Sequence, residues 1–219
     1  LKGERMRAFF TAMRQATPDS VRQWPLGQRF PLDAPMRQIT CRVIFQAVFG
    51  WQAGPQLETA LGHVHRMLAP TRSRWSLVLM KVFSPERFKP TKRTPFYRDL
   101  WKLDASIYEA IRASRELPPA ERPECVLTDL LGATHDGGSP LPDTELRDAI
   151  VTLLIAGHET TAVALAWVFA EVAARADVMG RVREELHRVC DDGLPTAEQM
   201  PQLEYLDATI RESMRLRTV

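Results

Sequence analysis

The residues with the clearest capacity for chemistry are Gly157, His158, Glu159, Thr160 and Thr161, which interrupt an apolar stretch running from Ala149 to Ala170. Glu159 brings a carboxylate beside the hydroxyls of Thr160 and Thr161. The run is costly, which argues that it is used. Glycine inside a helix is unfavourable by roughly 1 kcal/mol relative to alanine. A threonine hydroxyl can turn onto the carbonyl four residues back, here Ala156 for Thr160, and bend the helix. A buried Glu159 is expensive unless it is paired or protonated. The same residues also suit a satisfied buried polar cluster, a turn of helix facing water, or a helix crossing that glycine permits. His158-Glu159 would open a zinc-protease helix only with a second histidine four residues after the first, and position 162 is alanine.

A second pair, Glu212 and Arg215, lies three residues apart and shares one helical face. Taken alone it reads as a surface ion pair worth a few tenths of a kcal/mol. Cys41, Cys125 and Cys190 are far apart and form no CxxC pair. A disulfide framework or zinc site is therefore not expected, and a reducing cytoplasm suits the chain.

These residues must be positioned by helices. Gly and Pro punctuate the chain, and strand-like alternation is nearly absent. The pattern predicts helices over 2–16 (ended by Thr17-Pro18-Asp19), 33–49, 56–68, 96–116, 126–134, 177–190 and 203–216. Residues 24–31 form a turn-rich connector. Met36, Ile39, Val43, Phe45 and Val48 give the second helix its apolar face, and Gly50 stops it. Residues 70–95, rich in proline, arginine and lysine, read as a long exposed connection of the kind that forms lids.

The longest helix is predicted over 143–174, with Asp143 as its N-cap. It should be a rod on the order of 48 Å, at ~1.5 Å per residue. It is apolar nearly all round between Ile150 and Ala170, as a helix buried in a core would be. His158 and Glu159 at its centre argue against a membrane span. The chain has 219 residues, 45% hydrophobic and 26% charged, with a net charge of +2. That suits a soluble globular domain and offers no strong field for nucleic acid or an anionic membrane. Both ends read as cut rather than finished.

Ala156-Gly157-His158-Glu159-Thr160-Thr161, midway along the longest helix, resembles the oxygen-groove motif of the cytochrome P450 family. Glu212-Ser213-Met214-Arg215, about fifty positions later, resembles that family's Glu-x-x-Arg helix, as does its approach from Leu203 to Arg211. The resemblance covers most of the chain, including the run-up from Asp129 to Asp143. It implies a mainly α, partial cytochrome P450 fold, with helices around one long central oxygen-groove helix.

It further implies a haem-thiolate monooxygenase with haem b as cofactor, a small hydrophobic substrate, and a ferredoxin or flavoprotein electron donor. Ala156, Gly157 and Thr161 would line the haem and oxygen groove. Thr160 would hold a water or hydroperoxide, and Glu159 would belong to the proton path. Glu212 and Arg215 would be structural, locking the segment that bears the haem-ligating cysteine. A monomer, a cytoplasmic location and a bacterial-type soluble form are expected, with no membrane segment. Apolar residues at Trp75 to Val82, and Leu153 and Leu154 on the long helix, would border the substrate.

Two features depart from the pattern. Phe83-Ser84-Pro85-Glu86-Arg87-Phe88 copies a signature that should follow the Glu-x-x-Arg helix, so it reads as coincidence. None of the three cysteines stands in the family's Gly-rich ligand loop, so the axial ligand and any metal ligand are expected to be absent from these residues, and the fragment alone to be inactive. The alternative is a non-catalytic helical accessory protein that keeps the scaffold without haem.

Overall fold

The computed structural model describes residues 4–51, 54–68, 95–191 and 193–218. Among them are eight α-helices and no strand: α1 (Glu4–Val21), α2 (Asp33–Phe49), α3 (Pro55–Leu68), α4 (Pro95–Glu116), α5 (Val126–Gly132), α6 (Asp143–Ala173), α7 (Ala176–Cys190) and α8 (Glu204–Leu216). Two short 3-10 turns cover Pro119–Glu121 and Met200–Gln202. The lid reading of 70–95 and the Phe83–Phe88 signature fall almost wholly outside the described residues. The chain divides into two units, Leu1–Ala47 with Leu153–Val219, and Val48–Thr152.

In the first unit, Met36 and Ile39 of α2 pack with Ala162 of α6, and Trp24, Leu32, Val43, Leu165 and Ala166 close around them. Trp24 meets Phe30 and Phe169 at ring-centroid distances of 5.5 and 6.3 Å. At the other end, the Glu185 carboxylate of α7 accepts from the backbone N–H groups of Tyr205 and Leu206, both at 2.8 Å. Those donors open α8 and have no partner within their own helix. A carboxylate placed there also meets the positive end of the helix dipole.

The second unit is built on α3 against α4. Leu57, Ala60, Leu61 and Val64 face Leu103, Ile107, Ala110 and Ile111, all buried. Asp99 and His63 are buried between the same helices with His63 Nδ1 2.9 Å from Asp99 Oδ1, and the exposed Arg66 reaches that oxygen with its Nε at 3.0 Å. Arg147 ties α6 to α4 through Asp104 at 2.6 Å. Gly50, expected to stop α2, has φ +69°, and a Cβ there would meet Pro123 Cβ at 3.0 Å. Only glycine fits that backbone and that gap.

Three expectations change. α1 does not end before Pro18 but runs through it to Val21. An internal proline removes one helical bond and costs about 3 kcal/mol. Ala12, Ala16 and Ser20 nevertheless form a buried stripe at four-residue spacing, which keeps the helix going. Asp143 is not the N-cap of α6: the first helical bonds go to the Pro142 carbonyl, from Glu145 and Leu146. The Asp143 carboxylate instead accepts from Arg115, at 2.8 and 3.1 Å.

The third correction concerns burial. α6 has 31 residues, about 46 Å of helix, but it is not enclosed on all sides by the described residues. Leu146, Ile150, Leu154, His158 and Ala162 form one buried stripe. Leu153, Ile155, Trp167 and Phe169 are 39–45% exposed. By length and composition alone α6 could cross a membrane, and only 22% of its most apolar window is buried.

Candidate active site

The site is one turn of α6, and the helix sends its residues in different directions. Ala156 and Thr160 are exposed on the same face, one turn apart. The Thr160 hydroxyl donates to the Ala156 carbonyl at 2.6 Å, and the Thr161 hydroxyl to the Gly157 carbonyl at 2.8 Å. The back-bonding expected of Thr160 is thus present, and it recurs at Thr161. With its one proton directed inward, the Thr160 hydroxyl offers only lone pairs to the open face.

Gly157 looks toward α2. A Cβ placed on it would meet Ile44 Cδ1 at 2.9 Å and Cγ1 at 3.3 Å. The glycine therefore sets how closely α2 approaches α6 at the motif. Next to it, the Thr40 hydroxyl of α2 reaches the carbonyls of His158 and Met36, both at 3.0 Å. Of the two leucines expected near a substrate, Leu153 is exposed and Leu154 is buried.

Glu159 also turns toward α2. Arg37 Nη1 grips its Oε1, and Asp33, one turn earlier on α2, lies 3.8 Å from Arg37 Nε. The second carboxylate oxygen, Oε2, is buried with no hydrogen-bond partner, 3.5 Å from His158 Nε2. His158 is 1% exposed, and its Nδ1 sits 3.0 Å from the Leu154 carbonyl. Arg37 and Asp33 were not legible as site residues. An arginine with Met36 and Ile39 on either side of it, on an otherwise apolar face, was the available signal.

Glu212 and Arg215 form a two-pronged pair. Arg215 Nε donates to Oε2 at 2.7 Å and Nη2 to Oε1 at 2.6 Å. The guanidinium holds the Glu212 carboxyl below the usual carboxylate range. Both side chains are more than half exposed, so the pair itself adds little stability. Glu212 and the buried Ser213 border a cavity of about 310 Å³ with Glu171, Arg175 and Tyr205. Glu171 is held by Arg175 and Arg217, whose hydrogen bonds lower its pKa. Cys41, Cys125 and Cys190 are free and buried, and burial pushes the Cys41 thiol up to about 12. Among the described residues no group of His, Cys, Asp and Glu could hold a metal ion.

A cytochrome P450 of Mycobacterium tuberculosis (strain H37Rv) is 30% identical over 220 residues, across 99% of this chain and 46% of that protein. Cyclooctat-9-en-7-ol 5-monooxygenase of Streptomyces melanosporofaciens is 28% identical over 213 residues, across 97% and 46%. The solved structure of retinoic-acid-bound cyanobacterial CYP120A1 superposes with a TM-score of 0.73 at 25% identity, covering 98% of this chain and 46% of that one. The cytochrome P450DA haem domain gives 0.74 at 22%, across 96% and 44%. The chain spans about half the length of the relatives it matches. The Cytochrome P450 family model matches residues 4–219, and with the motif turn of α6 and the Glu212–Arg215 pair of α8 in the fold of solved members, the chain belongs to the cytochrome P450 family.

Proposed function

We propose that the full-length protein is a haem-thiolate monooxygenase acting on a small hydrophobic substrate. The observation that carries this reading is the exposed Ala156–Thr160 face of α6, where a small side chain and a hydroxyl stand one turn apart. These residues fit the distal side of a haem. The methyl of Ala156 permits close approach, and the outward lone pairs of Thr160 suit a bound water. They do not supply a thiolate ligand: the three cysteines are buried, and burial holds Cys41 as a thiol. In this proposal the remainder of the full-length protein provides that ligand.

When bound, the haem iron would supply the redox chemistry by which one atom of O2 enters a C–H bond and the other leaves as water, using two electrons and two protons. The chain's own part is proton handling and shape. Thr160 accepts a hydrogen bond from a water while its proton points at Ala156, and becomes a donor when the hydroxyl rotates outward. Glu159 belongs to the proton path, with its carboxylate held by Arg37. Leu153 and Ile155, both exposed, border an apolar substrate. Gly157 and Glu212–Arg215 are structural in this reading. Electrons come from a ferredoxin or flavoprotein. The protein works as a monomer in the cytoplasm.

The test is the reduced, carbon-monoxide-treated spectrum of the full-length protein loaded with haem. The shifted thiolate Soret band is expected. Its absence from a haem-loaded sample overturns the monooxygenase reading in favour of the accessory-protein alternative.

A further inference from the structure

We infer that the buried Asp99 takes one cation at a time: Arg66 while His63 is neutral, and His63 once it gains a proton, with Arg66 then released to solvent. Nothing in this switch depends on the monooxygenase reading.

Arg66 Nε donates to Asp99 Oδ1 at 3.0 Å, and its Nη2 lies 2.8 Å from His63 Nδ1. A guanidinium has no acceptor, so Arg66 is the donor in both contacts. His63 Nδ1 therefore bears no proton while Arg66 is docked. Nε and Nη2 are the same two prongs that Arg215 lays on the Glu212 carboxylate. At Asp99 the fork spans one carboxylate oxygen and one imidazole nitrogen, which stand 2.9 Å apart. Gly62 leaves room for it: a Cβ there would meet Arg66 Nη1 at 3.1 Å.

A proton on Nδ1 turns that nitrogen from acceptor to donor. Its 2.9 Å contact with Asp99 Oδ1 becomes a charge-assisted hydrogen bond. Its 2.8 Å contact with Arg66 Nη2 becomes donor against donor and positive charge against positive charge. One of the three groups has to leave. The side chains of His63 and Asp99 are 9% and 3% exposed, and that of Arg66 is 55% exposed. Arg66 reaches water without uncovering the interface between α3 and α4, so it is the group that goes. The buried carboxylate keeps a cation in either state, which avoids an uncompensated buried charge. Both cations belong to α3, so the tie to α4 survives the exchange while the charge of Arg66 moves to the surface.

Neighbouring charges do not compete. On α4, the helix packed against α3, Asp104 is taken by Arg147, and Arg98 and Lys102 are exposed. On α3, Glu58 is exposed, and His65, two positions after His63, leaves the helix on nearly the opposite side. Among the described residues, His63 and Arg66 are the ion-pair partners of Asp99. Asp99 itself titrates in acid, where His63 is the donor, and the His63 hydrogen bond is the largest influence holding its pKa down.

The test is nitrogen-15 NMR of the full-length protein through a pH titration, with any haem held in the diamagnetic ferrous, carbon-monoxide-bound state. At the alkaline end His63 Nδ1 should carry a lone pair, and the Arg66 Nε–H should be protected from exchange. As the ring takes its proton, Arg66 should lose that protection in step. An Arg66 that stays protected beside a charged His63 overturns the inference.

Two variants separate the roles. In Arg66→Ala the carboxylate has no other cation, so His63 should hold its proton to higher pH than in the unsubstituted protein. A titration unmoved by this change also overturns the inference. His63→Gln can accept from Nη2 and cannot titrate, so Arg66 should stay protected throughout. Loss of protection at the same pH in that variant would assign the switch to another group. Should His63→Gln fail to fold, the unsubstituted protein and Arg66→Ala, altered only at an exposed side chain, decide.

Discussion

Arg37 of α2 holds the carboxylate of Glu159 of α6. The acidic residue of the motif turn is thus anchored on a different helix, while its neighbour Thr160 stands on the open face. The turn divides its duties by direction. Ala156 and Thr160 face outward, and Gly157, His158 and Glu159 face α2.

Removing the anchor tests that division. Arg37→Ala should destabilise the protein by about 1–2 kcal/mol, because Glu159 keeps its charge and loses its partner. The loss is moderated by the 38% exposure of the Glu159 side chain. Adding Glu159→Gln should recover part of it. Denaturant unfolding of the single and double variants measures the coupling, and fully additive effects would show that the pair does not interact in solution.

Thr160→Ala removes the hydroxyl bonded to the Ala156 carbonyl. Stability should change little, since the hydroxyl is exposed and alanine is the better helix former. If the full-length protein is the monooxygenase proposed above, a larger share of electrons should end as hydrogen peroxide rather than product. Product per NADPH, measured beside peroxide, checks this; an unchanged ratio removes Thr160 from proton delivery.

Gly157→Ala should bring a methyl within 2.9 Å of Ile44 Cδ1. Helix propensity favours alanine by roughly 1 kcal/mol, and overpacking costs 1 kcal/mol or more. In an Ile44→Ala background the overpacking disappears, so the same change should become stabilising. Thermal melts of the four proteins decide, and equal effects in both backgrounds would rule out the contact.

Asp99 links α3 and α4 through His63 and Arg66. The His63 hydrogen bond, opposed by burial and helped by Arg66, holds its pKa below the ordinary 3.8. A depressed carboxyl pKa contributes stability that is complete above the unfolded value. The contribution is lost as pH falls through the folded value. Asp99→Asn should cost about 1–3 kcal/mol at neutral pH, mainly by taking the buried carboxylate away from the buried His63 ring. It should also flatten the acid limb of stability below about pH 4. Urea melts across pH 3–7 measure both effects.

Glu185→Gln should weaken the start of α8, where both carboxylate oxygens accept backbone N–H groups. A loss of about 1 kcal/mol is expected. Hydrogen exchange at Tyr205 and Leu206 should quicken, while Thr40, at the far contact between α2 and α6, should be unaffected.

Most helix positions were legible along the chain. α2 begins and ends where Asp33 and Gly50 place its limits, and α4, α7 and α8 differ from expectation by a single residue at their starts. Those signals act between near neighbours through caps, proline and glycine. The motif turn was legible for a similar reason: Gly157, Glu159 and Thr160 each carry a local cost, and together they match a family pattern. The continuation of α1 through Pro18 was not legible, because the buried stripe of Ala12, Ala16 and Ser20 exists only once other helices cover it.

By itself the sequence determined the helical class and the family, and it singled out Gly157, Glu159 and Thr160 as residues to place. The tertiary structure alone decided which way each of them faces. The Thr40–His158 contact joins residues 118 positions apart, and the Arg37–Glu159 pair spans a similar distance. Helical periodicity places Glu159 and Thr160 on adjoining faces of α6, but it does not say which face meets another helix. That is set by burial, when the Met36–Ile39–Ala162 core draws α2 onto α6 and leaves Ala156 and Thr160 outside.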